Sequence, residues 1–235
     1  DNPALFTAGP ALQTNGLLQL TLAANATGTA TVTVSATDNG GTLLGGVATG
    51  SNAFVITVTG VNDAPAFGFA TNHVVALEDA GLQTVAGFIT GLSVGPGDES
   101  AQSVTNYAVT TSSNALFAVL PAISTVGVLT FTPAANANGS ATITVIAQDD
   151  GGTANGGLDK ATNAFTLTLT AVNDAPSLAF ATNNLVVAED AGAQLVAGFV
   201  TATLGPADEA GQVITNYSVS SDNPSLFTVA PAVSL

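Results

Sequence analysis

Acidic residues in this chain stand mostly in adjacent pairs. Glu78-Asp79, Asp98-Glu99, Asp149-Asp150, Glu189-Asp190 and Asp208-Glu209 are carboxylate doublets, and Asn62-Asp63 and Asn173-Asp174 place an amide beside a carboxylate. Across 235 residues there are 16 acids and a single base, Lys160, for a formal net charge of −15. Carboxylate pairs with so little Lys or Arg to neutralise them call for another cation. An all-oxygen set of carboxylates and amides suits Ca²⁺, which takes six to eight oxygen ligands. The candidate structural calcium ligands are therefore Asn62, Asp63, Glu78, Asp79, Asp98, Glu99, Asp149, Asp150, Asn173, Asp174, Glu189, Asp190, Asp208 and Glu209. The same residue types also cap turns and strand ends, and that reading stands beside the metal one.

Other chemistry is poorly supplied. The chain has one His (His73), one Lys, no Arg and no Cys, so an enzyme would lack a base, a nucleophile and a charged clamp. Paired carboxylates serve glycosidases, but here they recur from repeat to repeat on expected turns, whereas a catalytic pair would occur once. Gly40-Gly41 and Gly151-Gly152 lack the helix and lysine of a phosphate loop. So acidic a surface repels nucleic acid and anionic lipid, which excludes both as direct partners. With no apolar run of membrane length and no basic, signal-like start, the chain reads as an internal piece of something longer that does not insert into a membrane. Zero cysteine removes disulfides as a staple and leaves metal as the alternative.

The elements that would position these groups follow from an internal repeat. Val61-Asn62-Asp63-Ala64-Pro65 returns as Val172-Asn173-Asp174-Ala175-Pro176, 111 positions later. Each copy ends an alternating run (54–58 and 165–169), and Ala-Pro breaks it, because proline has no N–H and holds the preceding residue extended. The pentapeptide is thus a polar, extended joint. It divides the chain into the C-terminal part of a repeat at 1–65, a complete repeat at 66–176, and the N-terminal part of a third at 177–235.

Within 66–176, seven strands are expected, at 73–77, 84–94, 104–111, 117–123, 128–132, 141–148 and 164–171. Phe88, Tyr107, Val109, Phe117, Leu129, Phe131, Ile143, Val145, Phe165, Leu167 and Leu169 form the inward set. In the flanking parts, strands are expected at 17–22, 29–36 and 53–59. Period-two alternation with Thr, Val and Gly, and no 3.6-residue stripe, predicts an all-β fold of tandem β-sandwiches in a linear array. The last 14 residues repeat the pattern of the first 14, so the parts at the two ends belong to one kind of repeat.

The stretch Asp149-Asp150-Gly151-Gly152, then Asn163-Ala164-Phe165-Thr166-Leu167-Thr168, then Val172-Asn173-Asp174-Ala175-Pro176 resembles the tandem cadherin-like and immunoglobulin-like repeats of large bacterial surface adhesins. Glu78-Asp79-Ala80-Gly81 and 131–139 resemble the same repeats, and the resemblance runs through the whole chain in register. It implies Greek-key sandwiches of the type I secreted, extracellular kind, exposed on the bacterial cell surface as a stalk in cell adhesion or biofilm. It further implies calcium at joints, with Asn173, Asp174, Asp149 or Asp150, Glu78 and Asp98-Glu99 in ligand positions. Val172 departs from the pattern, standing where cadherins carry an acidic ligand. Neighbouring repeats of the same chain are the expected partners. Homotypic fibre assembly and a glycan- or surface-binding module on threonine-rich strand faces (Thr166, Thr168, Thr170) are the alternatives.

Overall fold

A computed structural model describes residues 1–235, and the chain is all-β, with short 3₁₀ turns as its only helical elements. Fifteen strands follow one another: β1 (Phe6–Leu12), β2 (Leu18–Leu22), β3 (Gly28–Thr37), β4 (Thr49–Val58), β5 (Ala66–Phe69), β6 (His73–Leu77), β7 (Gln83–Val85), β8 (Ile89–Ser93), β9 (Val104–Thr111), β10 (Phe117–Ile123), β11 (Leu129–Pro133), β12 (Gly139–Asp149), β13 (Lys160–Thr170), β14 (Ser177–Phe180) and β15 (Val200–Thr203).

The core belongs to the central segment, 66–176. Along β12 the alternation puts Ala141, Ile143, Val145, Ala147 and Asp149 inward, while Thr142, Thr144 and Ile146 face outward. Such Val, Ile and Thr patterning suits a pleated, half-buried surface. β12 pairs with β13 on one edge and β9 on the other, and β13 takes β6 in parallel, giving the order β6-β13-β12-β9. A second sheet, β10-β11-β7, and the β5-β8 ladder complete the segment. Phe88 lies at the centre, with its ring 4.7 Å from that of Phe165 and 5.2 Å from that of Phe69. Of the eleven residues read as inward-facing, ten are buried, and Val109 packs against them half-buried. Tyr107 is buried with them and its hydroxyl has no partner, so desolvation pushes its pKa up.

Two strand expectations need correction. The run expected at 84–94 is broken in two, because Gly87 adopts a left-handed φ of +63° and redirects the chain. β7 then pairs with β11 and β8 with β5, so Phe88 sits at the crossing between two ladders. β5, immediately after Pro65, is a further strand, lying ahead of the first one expected at 73–77. The central segment thus holds nine strands where seven were expected.

β12 also measures the segment. Eleven residues at about 3.3 Å each span roughly 35 Å. Asn138 precedes one end and Asp149 closes the other. The first joint, 61–65, contacts the Asp149 end, and the second, 172–176, lies at the Asn138 end.

Outside the centre the chain forms two-stranded antiparallel ladders only: β1-β2 and β3-β4 before it, β14-β15 after it. Truncating Phe88 to Ala should cost about 3–5 kcal/mol, because it leaves a cavity among packed aromatics. The same change at Phe199, the matching position in the last part of the chain, should cost far less. Denaturant unfolding of both variants measures the difference.

Candidate functional site

The first joint is built from an amide and two carboxylates. Asn62 donates its Nδ2 to Asp149 Oδ1 at 3.1 Å and to the carbonyl of Leu158 at 2.6 Å, and its own carbonyl accepts the Leu158 N–H at 2.8 Å. This ties the joint to the loop between β12 and β13. Asp149 is 3% exposed, and its Oδ1 also accepts the Gly151 N–H at 3.0 Å. From the other side, Glu99, in a 3₁₀ turn (Gly97–Glu99) and 5% exposed, accepts the Asp63 N–H at 2.7 Å.

Each of these side chains keeps one buried oxygen without a partner: Asn62 Oδ1, Glu99 Oε2 and Asp149 Oδ2, joined by Gln102 Oε1. Thr27, Asn62, Asp98, Glu99, Gln102 and Gly151 line one cleft. Gly151 is required there, because an added Cβ would collide with the Asn62 amide and come within 2.6 Å of Gln102 Oε1. Four acceptors without a donor are an arrangement that a cation, a proton or water must complete, since an unsatisfied buried polar atom costs about 1–3 kcal/mol. Gln102 was missed in the sequence. Its signal was available, since Gln212 follows Glu209 at the spacing by which Gln102 follows Glu99.

The second joint is more acidic. Glu78, 1% exposed at the end of β6, accepts the Val172 N–H at 2.7 Å. Glu209, buried in the 3₁₀ turn Ala207–Glu209, accepts the Asp174 N–H. Two glutamates from opposite sides therefore hold amides two residues apart on one linker. Asn138 bridges Glu78 and Asp208, donating its Nδ2 to Asp208 Oδ2 at 3.3 Å and to Glu78 Oε2 at 3.5 Å. Asp79 accepts the Asn136 N–H at 3.0 Å. Desolvation raises the pKa of Asp174, and repulsion from Asp79, Glu209, Asp208 and Glu78 raises it further. Asp174 Oδ2 and Glu209 Oε2 have no partner.

The doublets thus divide by role. In four of the five, one member is buried and holds backbone (Glu78, Glu99, Asp149, Glu209), and the other is exposed (Asp79, Asp98, Asp150, Asp208). Asp150 turns away from the joint to accept the Ser103 N–H at 2.9 Å and hydroxyl at 3.1 Å, which lower its pKa. The side chains of Asp63 and Asn173 are exposed, and Asn173 donates to the carbonyl of Asp174. Glu189 and Asp190 are exposed and meet no joint. No three acidic or histidine side chains converge closely enough to hold an ion unaided. Any metal at these joints would draw on amide and backbone oxygens as well, which Ca²⁺ accepts.

No family model and no curated protein matches the chain. Among solved structures it is similar to a crystal structure of Drosophila N-cadherin EC1-4, at 16% identity with a TM-score of 0.38. The similarity covers 72% of this chain and 41% of that one, so the chain spans less than half of its length.

The raised pKa of Asp174 fixes a sign. Between the ordinary carboxylate range and the raised value, the folded joint holds this proton more tightly than the unfolded chain does. Without metal, the joint therefore gains stability as pH falls through that window and loses it as pH rises. Asp174→Asn should flatten this dependence. Amide exchange protection at Val172 and Asp174, followed in chelator from pH 4 to pH 7, measures it.

Proposed function

We propose that this chain is part of an extracellular stalk on a bacterial surface, in which β-sandwich repeats are spaced and stiffened by joints that take Ca²⁺. The observation that carries this reading is that the first joint holds four buried oxygens without partners, Asn62 Oδ1, Glu99 Oε2, Gln102 Oε1 and Asp149 Oδ2. Glu78, Asp79, Asp174, Asp208 and Glu209 are the corresponding candidates at the second. When bound there, Ca²⁺ supplies the positive charge that the side chains do not. Lys160 opens β13 at the Asp149 end, so no base stands among the second-joint carboxylates.

The protein's own groups set the geometry. Glu78, Glu99 and Glu209 fix the linker backbone by accepting its N–H groups, and Asn62 locks the linker to the β12–β13 loop. The two joints lie at opposite ends of β12, so each repeat would add roughly 35–40 Å along one direction. The role is mechanical: holding whatever lies at the end of the array at a fixed distance.

Excess Ca²⁺ should raise the thermal midpoint of the 235-residue chain by on the order of 10 °C over chelator and lengthen the particle in small-angle scattering. Asp149→Asn and Glu99→Gln, which keep the side-chain shapes, should remove most of that increment. Coincident midpoints and scattering curves in Ca²⁺ and chelator would defeat the calcium reading and leave the joints held by hydrogen bonds alone.

A further inference from the structure

The acids of the central segment gather at the two ends of β12, with Glu99 and Asp149 at the first joint and Glu78, Asp79 and Asp174 at the second. The flank between those ends carries no carboxylate. There the outer face of the sheet β6-β13-β12-β9 presents Thr142 and Thr144 of β12, Thr166 and Thr168 of β13, and Val75 and Leu77 of β6. Val75 and Leu77 are 57% and 53% exposed. Lys160, at the Asp149 end of β13, is the one charged side chain on the face. Thr142, Thr166 and Thr170 stay exposed with both flanking parts of the chain in place.

The face is also continuous. Ten consecutive residue pairs join β12 to β13 without a register shift, whereas the β10-β11 ladder on the opposite flank is interrupted twice. Hydroxyls on the face already pair among themselves, with Ser140 Oγ 2.8 Å from Thr168 Oγ1 and Thr168 Oγ1 2.9 Å from His73 Nε2. A hydroxyl both donates and accepts, so a surface of hydroxyls and methyls complements itself.

We infer that this face is a lateral contact between two copies of the chain, each laying its β6-β13-β12-β9 sheet against that of the other about a two-fold axis. The area fits. Strands of 5, 11, 11 and 8 residues, at about 3.3 Å per residue and about 4.8 Å between strands, spread over roughly 550 Å². Two such faces bring together roughly 1,100 Å², against the roughly 1,000 Å² that a specific interface must clear. The charge fits as well, because chains of net charge −15 repel one another and here they meet with no carboxylate at the contact. None of this depends on calcium at the joints.

Sedimentation velocity of the 235-residue chain tests the contact. The mean mass should rise with concentration, and rise further in high salt, since the screening length falls from about 8 Å at 0.15 M to about 3 Å at 1 M and repulsion between the acidic ends falls with it. At 0.15 M salt, Thr166→Glu, which puts a carboxylate near the middle of the face, should weaken association at least about tenfold, roughly 1.4 kcal/mol. Its thermal midpoint should hold, because Thr166 is exposed. Cysteine crosslinking locates the surface, and the chain has no cysteine of its own. Under oxidation Thr166→Cys should give a dimer, while Thr130→Cys, in the middle of β11 on the opposite flank, should stay monomeric. A strict monomer at every concentration and salt overturns the inference. So does association that survives Thr166→Glu or crosslinks equally through Thr130→Cys, since another surface would then be responsible.

Discussion

Glu78 and Glu209 take the N–H groups of Val172 and Asp174 with carboxylates that water hardly reaches, and the geometry of the joint depends on that pair of hydrogen bonds. A carboxylate resists leaving water unless donors or a cation compensate it, and with one lysine in the chain the backbone amides of the linker are the donors at hand. The linker is consequently a tied segment. Glu99 repeats the device on Asp63 at the first joint. Gly95 and Gly205, both at positive φ, lie against Glu99 and Glu209, where any side chain would collide with the carboxylate.

The same hydrogen bonds create the electrostatic imbalance of the joints. Each glutamate uses one oxygen on the backbone, and Glu99 and Glu209 turn the other into a space that offers no donor. Around Asp174, four further carboxylates add repulsion to desolvation. A proton on Asp174 relieves that repulsion, and under the proposed function Ca²⁺ would relieve it at the same joint. The packed core of the central segment keeps the two joints a fixed distance apart through the length of β12.

Much of this was legible in the residues. Alternation located β6, β9 and β10 with their observed bounds, because a strand with one buried face writes its period into the sequence. The repeated pentapeptide marked the two linkers but not which of its residues turns inward, which is Asn62 in the first copy and Asp174 in the second. What the doublets do was not legible. Adjacent carboxylates look equivalent in a sequence, but neighbours in extended or turning chain point in opposite directions, so one enters the joint and the other meets water. Gln102 carries no charge and drew no attention, although it contributes an oxygen to the same cleft. The break between β7 and β8 was also hidden, since whether a glycine bends a strand depends on the two ladders that claim the residues around it.

The two ends of the chain separate local from tertiary control. Asn2-Pro3-Ala4-Leu5-Phe6 and Asn223-Pro224-Ser225-Leu226-Phe227 form the same 3₁₀ turn, at Pro3–Leu5 and Pro224–Leu226, because proline and the i to i+3 bond act within a few residues. Beyond that turn they diverge. Phe6–Leu12 is strand β1, paired with β2, whereas the residues after Phe227 form no strand. The sequence by itself determined the turns, the alternation, the acidic joints and the repeat. Tertiary structure decided which alternating runs become strands and which carboxylates are buried, because a strand's hydrogen bonds and a buried charge's donors must come from another part of the fold.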